Sequence, residues 1–185
     1  MGLRWCASLI NSVNADADDR LGHEIVASIA ESRLTSRAAS RVSEILDYES
    51  MSSASTWADD VRYSDEYAWS YTLHWVNPVH SPPSSCSFDY DRDCVNDFCV
   101  VSAVQNFTDQ LAGRLWCPSE GDALRFLIHF VEDMHQPMHV CGIHTGGNDF
   151  DVKFYGSSTN MHALWDSKII YVRRRDHGIM RGKWE

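Results

Sequence analysis

Two His-x3-Asp pairs, His129 with Asp133 and His162 with Asp166, constrain this chain more than any other feature. Four residues of separation on an α-helix put both side chains on one face, one turn apart. The first pair lies in Leu127-Ile128-His129-Phe130-Val131-Glu132-Asp133 and the second in His162-Ala163-Leu164-Trp165-Asp166. Phe130, Val131, Leu164 and Trp165 imply partial burial, and a buried carboxylate needs a cation or hydrogen-bond donors. One such pair in polar surroundings reads as a hydrogen-bonded surface pair. Two among large apolar residues read as halves of metal sites, because zinc accepts imidazole nitrogen and carboxylate oxygen.

Hydrophobic spacing places both pairs on helices. Asp122 to Met134 carries Leu124, Leu127, Phe130, Val131 and Met134, and Pro137 ends that helix. Met161 to Ile170 returns to helical spacing around the second pair. Upstream, Leu21 to Glu31 carries Ile25, Val26 and Ile29, and Arg37 to Leu46 has Ala38, Val42, Ile45 and Leu46 on one side. Ser52 to Ser55 reads as a polar loop, followed by a short helix bearing Trp57, Asp59 and Arg62. Val100 to Leu111 is helical through Val104, Phe107 and Leu111, whereas Phe150, Val152 and Phe154 alternate as in a hairpin arm. The expectation is one mainly α domain with a small β-hairpin. His139, just beyond Pro137, sits where a turn would return it towards the same cavity. His23, Asp59 and His74 are further ligand candidates, while His80, His135, His144 and His177 read as surface histidines.

A length of 185 residues fits one domain, and no apolar run is long enough to span a membrane. The formal net charge of -10 argues against wrapping duplex DNA on a basic face. It permits an enzyme that grips a few nucleotides through bound cations, several acids being ligands. Cys86, Cys94 and Cys99 lie in a stretch too polar for core and lack CxxC spacing, so a disulfide fits better than a zinc knuckle. Asn106-Phe107-Thr108 is a glycosylation sequon. Together these favour the secretory pathway.

The ordered set Leu21-Gly22-His23-Glu24, Trp57-Ala58-Asp59, Leu73-His74-Trp75, His129-x3-Asp133, Gln136-Pro137-Met138-His139, Gly146-Gly147-Asn148 and His162-x2-Trp165-Asp166 resembles the single-strand-specific zinc nucleases. These fungal and plant bifunctional nucleases share a mainly helical fold with bacterial zinc phospholipase C. The resemblance runs from about Leu21 to Asp166 and takes in the Asp-Tyr-Asp-Arg-Asp-Cys94 stretch. It implies three zinc ions. Asp59, His74, His129 and Asp133 would hold one, and His139, His162 and Asp166 a second. Asp133 would bridge to a third, which His23 shares with the amine and carbonyl of the mature N-terminal residue. It further implies catalytic roles for Asp59 and Asp133, with Arg62 stabilising charge on the phosphate. Trp75 would stack a base, with Asn77 and Asn148 as further substrate contacts. Cys94 would pair with Cys99. The implied activity is endonucleolytic hydrolysis of single-stranded DNA and RNA to 5′-phosphorylated products, with 3′-nucleotidase activity. Phospholipase C chemistry on the same scaffold is the alternative, against which stand Trp75 and the Cys86 to Cys99 loop. A zinc-binding but inactive homologue is the other.

Two departures from the family bear on these expectations. The residue five before His23 is Asp18 rather than tryptophan; cleavage after Ala15-Asp16-Ala17 would make Asp18 the chelating N-terminus. Residues 1–17 are thus expected to be a signal or non-native segment and 18–170 the nuclease domain. Residues 171–185 form a divergent tail where the family continues through further helices and a cysteine that pairs with the one at Cys86. Those helices are expected to be missing here, which would expose apolar surface. Cys86 is left to Cys117, Cys141 or no partner.

Overall fold

The computed structural model describes residues 15–79 and 87–178, with side chains from Arg20 onward. The chain enters through α1 (Ala15–Ser32), α2 (Ser36–Ile45), α3 (Met51–Ala54) and α4 (Trp57–Val61). A 3₁₀ segment, Ala68–His74, precedes α5 (Tyr90–Asp93), α6 (Val100–Leu111) and α7 (Glu120–His135). Another 3₁₀ turn, Pro137–Val140, leads to a hairpin of β1 (Asp151–Phe154) and β2 (Ser157–Asn160). The chain then continues through α8 (Met161–Ala163), a π-turn at Leu164–Lys168 and α9 (Ile169–Asp176). The mainly helical architecture with one hairpin agrees with the sequence pattern.

α7 organises the core because it is apolar on opposite faces. Phe126 and Phe130 turn towards α6, where Phe107 stacks on Phe126 at 5.1 Å and Phe126 on Phe130 at 5.4 Å. Ala58, Leu73, Val76, Val100 and Ala103 complete that cluster. Leu124 and Ile128 turn the other way, onto Ala27 of α1, Leu46, and Met51 and Ala54 of α3. Between these faces, His129 and Asp133 point to a third side. Ser119 caps the helix by accepting from the Asp122 N–H, and Glu120 and Asp122 complement the dipole in its first turn. Pro137 follows its end, as expected.

Three details differ from the sequence reading. Ser52 to Ser55 is not a loop: α3 forms there because Ser50 caps it, accepting from the Ser53 N–H at 3.1 Å. Met51 and Ala54, one turn apart, bury in the α1–α7 seam. Secondly, α1 buries Leu21 and Ala27, whereas Val26 and Ile29 are exposed. Thirdly, Trp165 is 42% exposed instead of packed inward.

The hairpin pairs Val152 with Thr159 and turns through Tyr155 and Gly156, both at positive φ. A two-residue turn of this hand matches the twist of the strands. Cys94 and Cys99 form a disulfide across α5 and α6, while Cys117 and Cys141 are free thiols. Cys86 and His80 lie outside the described residues. No described helix is long and apolar enough to cross a membrane.

Candidate metal centre

Residues from six segments meet beside the C-terminal half of α7. α7 supplies His129 and Asp133, α4 supplies Asp59, α1 supplies His23, and the first 3₁₀ segment ends on His74. The turn after Pro137 returns His139, and α8 with its π-turn presents His162 and Asp166. Widening at the π-turn does not separate that pair: His162 Nε2 lies 3.2 Å from Asp166 Oδ2.

Asp59, His74 and His129 form one group with spacing suited to an ion, and Asp133 lies against both imidazoles. His74 Nδ1 is 3.0 Å from Asp133 Oδ2 and 3.7 Å from Asp59 Oδ1. His129 Nε2 is 3.2 Å from Asp133 Oδ2, 3.5 Å from Asp59 Oδ1 and 3.0 Å from His74 Nδ1. A tetrahedral zinc site with bonds of 2.0–2.1 Å has donor–donor edges of about 3.3 Å. The separations scatter around that value. The other oxygen of Asp133 faces elsewhere: Oδ1 is 3.2 Å from His139 Nδ1 and 3.6 Å from His23 Nε2. His139 Nε2 is 3.5 Å from Asp166 Oδ1, and His139, His162 and Asp166 form a second group with spacing suited to an ion. His23, His129 and Asp133 form a third.

The rings are held in ways that leave one nitrogen free for a cation. His129 Nδ1 contacts the Ser55 carbonyl at 2.6 Å, His139 Nδ1 the His74 carbonyl at 2.8 Å and His162 Nδ1 the Gly146 carbonyl at 2.8 Å. A carbonyl can only accept, so each Nδ1 carries the proton and each Nε2 presents a lone pair. Gly146 fits because its φ is +62° and a Cβ would lie 2.7 Å from the Met138 carbonyl oxygen. The Gln136 amide donates to Asp166 Oδ1 at 2.5 Å, fixing that carboxylate as well. His74 differs: its ring stands edge-on to Phe130, and its Nε2 is buried without a hydrogen-bond partner among the described residues.

Electrostatically, the side chains alone form an alternation of charge. Burial opposes ionisation throughout, yet His129 and His139 hold Asp133 well below the ordinary carboxylate range. Burial likewise opposes the charge on His129, but Asp133 and Asp59 raise it well above the usual imidazole value. His139, buried between Asp133 and Asp166, is pushed up to about 9. Asp59 is lowered against its burial by His129, and burial lowers His74. Protons on two imidazoles therefore occupy the role that cations would take.

Three carboxylates and five imidazoles thus fall into three groups whose spacing could hold a metal ion. A family model described as S1/P1 Nuclease matches residues 19–180. The chain belongs to the S1/P1 nuclease family. Among S1/P1 relatives, Nuclease S1 from Aspergillus oryzae is 40% identical over 152 residues, covering 80% of this chain and 53% of its own length. Nuclease P1 from Penicillium citrinum is 38% identical over 151 residues, covering 80% and 56%. Endonuclease 2 from Arabidopsis thaliana is 38% identical over 170 residues, covering 84% and 57%. The chain thus spans about half the length of the curated relatives it matches.

The remaining residues singled out in this S1/P1 family chain fall at different distances from the centre. Arg62, the C-cap of α4, reaches Asp59 Oδ1 at 2.8 Å and lies over the Tyr63 and Tyr71 rings. Trp75, half-buried, follows His74 and meets Tyr71 edge-on at 5.3 Å. Asn77 is exposed, as is Asn148, whose amide donates to the Thr145 carbonyl. Asn106 is exposed on α6. Asp18 falls within α1, and its side chain lies outside the described residues. His135, His144 and His177 are exposed. Sequence reasoning missed Glu132, whose buried carboxyl meets His23 Nδ1 at 2.7 Å. Its signal was present as a second acid beside Asp133 on an apolar helix. Burial raises Glu132 to about 9 and lowers His23 to about 4, so without cations their contact is a neutral hydrogen bond rather than an ion pair. A cavity of about 460 Å³ opens here, walled by Ile25, Val26, Trp165, Ile169 and Ile170.

Proposed function

We propose that this chain carries the catalytic centre of a zinc-dependent phosphodiesterase acting on single-stranded DNA, RNA and 3′-nucleotides. Asp59, His74, His129 and Asp133 would hold one ion, His139, His162 and Asp166 a second, and His23 with Asp133 a third. The grouping of Asp59, His74 and His129 at metal-ligand spacing, with Asp133 against both imidazoles, carries this reading. Zinc so held supplies Lewis acidity, lowering the pKa of water and offsetting charge on a phosphate. The chain's own groups do the rest. Asp133 ties two sets of donors together, one oxygen to each. Arg62 offers a planar guanidinium beside Asp59 for the phosphate oxygens. Trp75 provides a stacking face indifferent to base identity, with Asn77 and Asn148 as polar contacts to the nucleotide. The disulfide and the exposed Asn106 suit a secreted, glycosylated protein.

The test combines metal analysis of purified protein with hydrolysis of single-stranded DNA, duplex DNA, a 3′-nucleotide and phosphatidylcholine. Retained zinc with faster cleavage of single strands, yielding 5′-phosphorylated ends, supports the proposal. Turnover of phosphatidylcholine alone would replace the nuclease with a phospholipase C. Zinc without turnover on any substrate would make the chain a binding protein, and protein free of transition metal would overturn the centre itself.

A proton count provides a second check. His129 and His139 carry raised pKa values in the metal-free site, so zinc must displace protons from both at pH 7. Titrating zinc into chelated protein in two buffers of different ionisation enthalpy is expected to give heats that differ by the protons released. Identical heats would contradict the assignment. The same shifts set a stability trend for the chelated protein. A raised His139 stabilises fully below its unfolded value of 6.5, and that contribution fades as pH climbs through about 9. Melting temperature is accordingly expected to fall over that window.

A further inference from the structure

We infer that Glu132 is the positioning residue for His23, and that its carboxylate fixes the His23 ion in the cluster; this rests on the zinc reading above. Four ring nitrogens near the centre face an acceptor directed away from the donor sets, and His23 is the exception in kind. His129, His139 and His162 are oriented by the uncharged carbonyls of Ser55, His74 and Gly146. His23 is oriented by a carboxyl group, with Glu132 Oε2 at 2.7 Å from Nδ1.

The geometry defines what that contact does. With Nδ1 as the donor, the lone pair is left on Nε2, which faces Asp133 Oδ1 at 3.6 Å. Glu132 and Asp133 are neighbours on α7, so one helical turn sets both the ring orientation and the carboxylate opposite it. Both acids are nearly sealed, with 6% and 1% of their side chains accessible, and the His23 ring is 15% accessible. A buried acid with no lysine or arginine against it in these contacts is costly unless cations neutralise it. The ring of His23 also stacks on His129 at 4.1 Å, a second contact that holds its plane. A carboxylate behind a ligating imidazole raises the basicity of the ring and locks its tautomer, and loss of such a partner typically costs 10–100-fold in metal affinity. Glu132 therefore acts on one ion, through His23, without touching the donors of Asp59 and His74 or of His162 and Asp166.

The experiment measures bound zinc per protein by elemental analysis across a graded chelator series, for wild type, Glu132→Gln, His23→Ala and the double variant. Glu132→Gln is expected to lose one ion at chelator strengths about 10–100-fold lower than wild type, while the other ions hold. His23→Ala should release that same ion, and adding Glu132→Gln to it should cost nothing further, because both act through one ring. Glu132→Asp should restore part of the lost retention by keeping the charge. Circular dichroism and melting of the zinc-loaded variants check that the fold persists. Nitrogen-15 spectra of His23 should show the proton on Nδ1 in wild type and a tautomer mixture in Glu132→Gln. Additive losses in the double variant, or wild-type retention in Glu132→Gln, would overturn the role of Glu132 with the zinc centre intact. Wild-type protein that binds no zinc would overturn both readings together.

Discussion

Asp133→Ala is expected to lower hydrolysis of single-stranded DNA by about 1,000-fold or more, since several kcal/mol of metal-derived stabilisation vanish together. The reason lies in its two oxygens. Oδ2 stands 3.0 Å from His74 and 3.2 Å from His129, and Oδ1 stands 3.2 Å from His139 and 3.6 Å from His23. No other described carboxylate reaches both sides. On the proposed assignment, removing it would take a ligand from two ions, and it would leave His129 with Asp59 and His139 with Asp166 as the carboxylates that raise them. Asp133→Asn is the sharper variant, because it preserves volume and one acceptor while deleting the charge. Zinc content should fall in both variants and not recover in excess metal. A variant that keeps its full zinc complement and near-normal rates would remove Asp133 from the bridge. Stability should respond to pH as well. The depressed carboxylate contributes stability above its unfolded value of 3.8 and loses it as acid protonates the folded group, so the wild-type advantage over Asp133→Asn should shrink on acidification.

How much of this was legible in the sequence depended on how each side chain is held. His129 and Asp133 were readable because an unbroken helix fixes their relation through period alone, and His162 and Asp166 keep the same four-residue spacing across the π-turn. His23, Asp59, His74 and His139 were not, taken singly. His74 ends a 3₁₀ segment and His139 sits in a turn, and neither has a sequence period that announces direction. Only the order of motifs across the chain made them a set. Short helices also escaped: α3 is four residues, two of them serines, and its helix depends on the Ser50 cap and on the Met51 and Ala54 contacts. Glu132 shows the opposite failure. Its position on α7 was clear, but an acid next to a ligand acid is ambiguous until the facing element is known. The His23 ring of α1 resolves it, and that contact spans 109 residues of sequence.

Arg62→Ala is expected to lower kcat about 10²–10³-fold, the usual loss when one preorganised donor to a developing charge is removed. The arginine is partly buried, its Nη1 bonds Asp59 Oδ1 at 2.8 Å, and its guanidinium lies 5.0 Å from the Tyr63 ring centre and 5.9 Å from that of Tyr71. Those contacts aim the group; they do not exhaust it. Arg62 Nε is buried and has no hydrogen-bond acceptor among the described residues. A buried donor left unpaired is costly and is retained where an incoming group supplies the acceptor, as a phosphate oxygen would here. Arg62→Lys tests this directly, because an ammonium keeps the charge but cannot reproduce a planar fork held between Asp59 and two tyrosines. Its activity should therefore fall close to that of alanine, with zinc content unchanged in both. If lysine restored most of the rate, bulk positive charge near the centre would suffice. If zinc were lost from either variant, Arg62 would be a support for Asp59 and its effect on rate would follow from the metal. The remaining outcome, lower kcat at full zinc occupancy and with KM for a short single strand little altered, is the one a phosphate-facing guanidinium requires.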